Sequence, residues 1–108
     1  MKKENVIYRK KKGSQGVVEY HVLGLEDSDF FDTLISFFSK NYNTEISVKD
    51  EGTNTRSYQL RCRNEYFILK HNSDIGNWFY SCQPSGDSEL MEEIAADLEN
   101  RLKDVSYE

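Results

Sequence analysis

Between Thr44 and Gln83 apolar residues recur at every second position in short runs, while the segments flanking that block repeat them at every third or fourth position. This change of period constrains the fold more than any other feature. Period two lines one face of a strand, and period 3.6 lines one face of a helix. The stretch YQLRCRNEYFILKH, Tyr58 to His71, is the clearest case. With Asn64-Glu65 as a two-residue hairpin loop, Cys62 pairs with Phe67, Leu60 with Leu69 and Tyr58 with His71. Directly paired residues share a face, so this register gathers Leu60, Cys62, Phe67 and Leu69. The opposite face receives Gln59, Arg61, Arg63, Tyr66, Ile68 and Lys70.

The remaining elements follow from the same periodicities. Asn5 to Lys11 and Val17 to Gly24 read as an N-terminal hairpin, with Val18, Tyr20 and Val22 on one face and Glu19, His21 and Leu23 on the other. LEDSDFFDTLISFFSKNY reads as a helix. Asp27 or Ser28 caps it, Asp29 and Asp32 suit its N-terminal dipole, and Phe30, Phe31, Leu34, Ile35, Phe38 and Tyr42 form its stripe. TEISVKDEG is a strand with Ile46 and Val48 inward and Glu45, Ser47 and Lys49 outward. In NWFYSCQ either Trp78, Tyr80 and Cys82 or Phe79 and Ser81 face inward; side-chain size favours the first set, with Trp78 in the core, or at the rim given its place just after the Asp74-Ile75-Gly76 turn. DSELMEEIAADLENRLKDV is a second helix with a stripe of Leu90, Met91, Ile94, Leu98, Leu102 and Val105.

The order strand, strand, helix, four strands, helix predicts an α+β two-layer sandwich: an antiparallel sheet of five to six strands with both helices on one face. Such a sheet leaves its second face to water. The 108 residues suit one domain, 1–108, with no repeat or low-complexity segment. A hydrophobic share of 37% is low, but fourteen aromatic residues offset it, because each ring buries a large area.

Charge is unevenly distributed. Met1 to Lys12 carries six Lys/Arg against Glu4, whereas Pro84 to Glu108 carries eight acids against Arg101 and Lys103, within a formal net charge of −5. An acidic chain disfavours nucleic acid as the main partner and suits docking to a basic one. The lysine run Lys10-Lys11-Lys12 reads as a solvated hairpin tip. The N-terminus has a positive start without an apolar stretch, so no signal peptide is expected. No run approaches membrane-spanning length, so no membrane partner is expected either. A cytoplasmic location follows as the expectation, with Cys62 and Cys82 reduced.

No motif for catalysis, metal or cofactor binding stands out. His21, Cys62, His71 and Cys82 show no paired ligand spacing, so neither a metal nor any cofactor is expected. Cys62 faces the core in the hairpin register, which speaks against a cysteine–histidine dyad, and no enzyme activity is expected. An enzyme would instead need a deep pocket joining His71 or His21 to a cysteine or carboxylate. The Arg61, Arg63, Tyr66, Ile68, Lys70 face admits three readings: a solvated exterior, a protein-binding surface, or a sheet that stacks single-stranded RNA.

In size, acidity and layout the chain resembles small bacterial immunity proteins, which block a cognate toxin by burying its site under an acidic surface. The resemblance implies a non-catalytic protein-binding domain that inhibits a basic toxin or nuclease. Steering would come from Asp87, Glu89, Glu92 and Glu93 on the second helix and from Asp50, Glu51 and Asp74 in loops. Tyr66 or Trp78 would anchor the partner. Reversing Glu92 and Glu93 to lysine is expected to slow association while leaving the fold intact. The alternative is a secretion-chaperone or assembly-factor type module that binds an extended protein segment along a sheet edge or open face.

Overall fold

The structure is a computed structural model and describes residues 7–12, 17–24, 26–82 and 89–103. Six strands, β1 (Ile7–Lys12), β2 (Val17–Val22), β3 (Glu45–Glu51), β4 (Thr55–Cys62), β5 (Glu65–Asn72) and β6 (Gly76–Ser81), accompany two helices, α1 (Ser28–Tyr42) and α2 (Glu89–Lys103). The strands form one antiparallel sheet in the order β1-β2-β6-β5-β4-β3. The architecture is α+β, in the expected order, with α1 over β5 and β6 and α2 over β1. Val105 lies outside the described residues.

Helix α1 begins where the sequence signals it. Asp27 is the N-cap, accepting from the Phe30 amide at 2.9 Å, and Asn43 closes the helix in the left-handed conformation at φ 54°. Phe31, Leu34, Phe38 and Tyr42 are buried, as are Leu90, Met91, Ile94, Ala95 and Leu98 of α2. Beneath them lie three rows of inward strand residues. The most central runs Arg9, Tyr20, Phe79, Leu69, Tyr58, Lys49 across all six strands. Phe38 packs edge-on against Phe67 and Phe79, with centroids at 5.3 and 6.0 Å, and fixes α1 over the sheet centre.

Four expectations need correction. The β4–β5 loop is Arg63-Asn64, both at positive φ (54° and 64°), so Cys62 pairs with Glu65, Leu60 with Phe67 and Tyr58 with Leu69. Two successive positive φ values are what a two-residue turn needs to match strand twist. The shift is two residues, so the facing of Leu60, Cys62, Phe67 and Leu69 survives. Arg63, however, leaves the outer face and reaches α2.

The facing of β6 is reversed. Phe79 and Ser81 are buried with Asn77 beneath the helices, while Trp78 and Tyr80 are half-buried on the outer face and Cys82 is exposed. Pairing decides this over size: Phe79 sits opposite both Tyr20 and Leu69, which face inward. Trp78 is therefore no core residue. Its ring stacks on His21, with centroids at 5.3 Å and planes 11° apart.

In β3 the register shifts between Ile46 and Val48. Ile46 stays in the inner row opposite Leu60, but Val48 moves to the outer row opposite Gln59. Lys49 and Glu51 are correspondingly turned toward the helix side. The bulge is held by Ser47, whose hydroxyl donates to the Gln59 carbonyl at 3.2 Å. Neither Ile46 nor Val48 is buried; they are 41% and 51% exposed, Ile46 on the edge strand of the sheet and Val48 on its outer face.

Candidate functional site

Antiparallel connectivity sends the β2–α1 connection, the β3–β4 turn and the β5–β6 turn to one end of the sheet. Exposed carboxylates arrive there from separate segments: Glu26, Asp29 and Asp32 around the start of α1, Asp50 and Glu51 from β3, and Asp74 from the β5–β6 turn. Between them lies a cleft of about 440 Å³ lined by Ser28, Gly52 to Arg56, Glu51, His71 and Ser73.

Arg56 forms one wall, and its guanidinium is fully engaged. Nε donates to Glu51 at 3.3 Å, and Nη1 to the Ser28 carbonyl and hydroxyl at 3.3 and 3.1 Å. Nη2 donates to Asp32 at 2.9 Å, to Glu51 at 3.2 Å and to the Tyr58 hydroxyl at 3.2 Å. It lies 4.3 Å above the Phe31 ring. Hydrogen bonding to Asp32, then to Tyr58 and Glu51, raises its pKa further above the ordinary arginine value despite partial burial. The Tyr58 hydroxyl donates to Glu51, and this bond is the main cause of the lowered Glu51 pKa.

His71 sits opposite Arg56 in β4 and Asn77 in β6 and is 6% exposed. Its Nδ1 lies 3.0 Å from Asn77 Oδ1, while Asn77 Nδ2 donates to the Asp27 carbonyl at 3.1 Å. The loop geometry follows from sequence: Asn72 Oδ1 accepts from the Asp74 amide at 2.7 Å, and Gly76 adopts φ 114°, with Glu26 packed where a Cβ would project. The cleft thus joins a histidine to a carboxylate, a juxtaposition that facing rules alone did not reveal. Among the described residues no hydroxyl or thiol hydrogen-bonds to His71. No three His, Cys, Asp or Glu side chains among those residues are grouped to hold a metal ion.

The acids of α2 are engaged differently. Glu92 accepts from Arg9 Nε at 3.2 Å and from the Tyr20 hydroxyl at 2.8 Å, and Arg9 also reaches Glu99 at 3.2 Å. Burial raises the Glu92 carboxyl, but the Arg9 and Tyr20 hydrogen bonds outweigh it, and the pKa is lowered. Glu93 is paired with Arg63, and that hydrogen bond lowers its pKa. Asp97 pairs with Arg101 at 2.8 Å and accepts from Tyr42 at 2.8 Å. Burial first, and the Asp97 bond second, push the Tyr42 phenol well above its usual pKa.

Of the residues singled out from sequence, Asp50, Glu51 and Asp74 therefore meet at one end. Glu93 lies by the β4–β5 turn at the other end, Glu92 faces β1 and β2, and Glu89 is exposed at the start of α2. Asp87 lies outside the described residues. Tyr66 and Trp78 lie on the uncovered outer face, with Tyr8, His21, Ile68 and Tyr80. Tyr8 and Tyr66 are 53% and 42% exposed. The basic residues of that face are partly used: Arg61 pairs with Glu45 at 3.2 Å, and the Lys70 ammonium lies 5.9 Å from the Tyr80 ring centroid. Sequence reasoning named His71 only as a conditional pocket residue and Ser28 only as a cap, and it missed Arg56 and Asn77. The signal for Asn77 is the turn "NSDIG", whose three-residue loop Ser73 to Ile75 sets His71 opposite Asn77.

No helix among the described residues is long and apolar enough to cross a membrane. No protein-family model, curated protein or solved structure matches the chain.

Proposed function

We propose that the protein is a non-catalytic protein-binding domain of the immunity type, which captures a basic partner such as a toxin or nuclease at the acidic end of its sheet. The observation that carries this reading is the meeting of exposed carboxylates from three separate segments around a cleft whose one arginine has no donor to spare. The helix dipole explains acids at the start of α1. It does not explain Asp50, Glu51 and Asp74, which arrive from other elements. Steering moves accordingly from α2 to this end, because Glu92 and Glu93 already serve the protein's own arginines.

The test is the association rate with a partner captured from the native host. Asp50→Lys with Asp74→Lys should slow association at low salt, and added salt should slow the unmodified protein in the same way. A stoichiometric partner whose on-rate ignores both would sink the reading.

A second reading, capture of an extended segment of another protein, draws support from the exposed edge β3 and the uncovered face bearing Tyr8 and Tyr66. Tyr66→Ala with Val48→Lys separates the two: it should abolish segment binding and leave toxin-type capture intact.

A further inference from the structure

We infer that the cleft at the acidic end takes a cationic, donor-rich group, the guanidinium or ammonium of an arginine or lysine side chain that the partner inserts. This rests on the reading of a basic partner and names the group that the partner contributes.

The argument begins with Asn77. Its Nδ2 donates to the Asp27 carbonyl at 3.1 Å, so the atom it turns to His71 is the acceptor Oδ1, 3.0 Å from Nδ1. Nδ1 must then carry the hydrogen, and in the neutral ring Nε2 carries the lone pair. Nε2 has no partner among the described residues. Because His71 lines the cleft, we take Nε2 as the ring atom that an entering group meets. In that neutral tautomer a histidine this deeply buried presents a directed acceptor there.

Arg56, the cross-strand neighbour of His71, has no donor to spare. All five N–H groups of Arg56 are placed on Glu51, Ser28, Asp32 and Tyr58, so an entering anion would find a cation that cannot turn to meet it. Arg56 with Asp32 and Glu51 carries a net charge of −1. The hydroxyls of Thr53, Thr55 and Ser73 can rotate to accept, and Asp74 and Glu26 extend the negative field outside. The acceptor at His71 and the net negative charge around Arg56 match a donor-bearing cation. Its volume of about 440 Å³ falls in the range of small-ligand sites and exceeds what one side-chain head needs.

The experiment is a titration of the full-length isotope-labelled protein, followed by NMR at the His71 ring nitrogens and backbone amides. The probes are N-acetyl-arginine amide and N-acetyl-lysine amide, with N-acetyl-glutamine amide, inorganic phosphate and putrescine alongside. The expected result is an Nδ1–H tautomer before addition. The two cationic amides should then give saturable shifts confined to His71, Ser73 and residues 53–56. His71→Phe should weaken that binding about tenfold, the equivalent of one hydrogen bond. Since that variant could fail to fold, Thr55→Val serves as a second, with a smaller loss. Shifts from phosphate but not from the cations would overturn the inference, as would silence from all probes or an Nε2–H tautomer. Tighter binding of putrescine than of either amide would overturn the assignment to a side chain. Should a basic protein be captured through Asp50 and Asp74 while the amides leave His71 unmoved, only the cleft assignment falls.

Discussion

Arg63 and Glu93 meet in a two-pronged ion pair, Nη1 to Oε1 at 2.8 Å and Nη2 to Oε2 at 3.0 Å, which ties the β4–β5 turn to helix α2. Arg63 holds φ 54° to do so, a conformation that glycine or asparagine adopts more readily.

This pair and its neighbour alter the expected outcome of charge reversal on α2. Glu92→Lys removes the acceptor of Tyr20 and faces Arg9 with a like charge, so it should destabilise the protein by about 1 kcal/mol, discounted for solvent exposure. Glu93→Lys adds a smaller loss that salt suppresses. Thermal denaturation of the double variant should show a lower midpoint, where a freely solvated helix face would show none.

Asn77 is buried and joins His71 to the entry of α1. Asn77→Ala leaves a buried ring N–H without its acceptor, at a loss of about 2 kcal/mol in urea denaturation. The His71 ring should at the same time lose its preference for one tautomer. An unchanged urea midpoint would mean that this link does not stabilise the fold.

Acid should weaken the molecule in a defined window. Glu92 and Glu93 have folded pKa values below those of unfolded glutamate, so their contribution is present above about pH 4.3 and is lost as pH falls through the folded values. Tyr42 works in the opposite sense: its raised pKa contributes stability that is lost as pH rises beyond about 10. A melting series from pH 3 to 11 should be flat in the middle and fall at both ends. Arg9→Gln should make the acid fall shallower.

Two aromatic substitutions should part company. Phe38 is fully buried between Phe67 and Phe79, and Phe38→Ala should destabilise by about 4 kcal/mol. Trp78 holds an indole N–H sealed from solvent with no acceptor among the described residues. Trp78→Phe removes that unsatisfied donor and should change stability by less than about 1 kcal/mol.

The cysteines should also separate. Burial raises both thiol pKa values, so access is what separates them: Cys62 is buried with its Sγ 3.3 Å from the Tyr42 carbonyl, whereas Cys82 is exposed. A thiol reagent should label Cys82 quickly in the native protein and Cys62 only on unfolding.

Periodicity made the layers legible, because both helices carry unbroken stripes and β4 and β5 alternate cleanly. The errors arose where backbone conformation overrides side-chain pattern. Arg63 is a poor advertisement for a left-handed turn, so the side-chain pattern puts the loop one residue late. Ser47 gives no sign of a bulge, yet it turns Val48 to the other face. Size misjudged Trp78 because the sheet's uncovered face also shelters large rings, as His21 does here. The cleft was out of reach for a different reason. Asp27, Arg56, His71 and Asn77 come from four segments, and only the strand order brings them together.

The Ser47 bulge bears on how the molecule avoids its own kind. A straight, exposed edge would template a neighbouring strand along its whole length. Here the ladder breaks after Ile46 and resumes at Val48 facing the other way. A second copy laid against β3 could keep step only from Val48 to Glu51, too short a run to seed a growing stack. The edge can be open to a guest of matching irregular shape and closed to fibril formation.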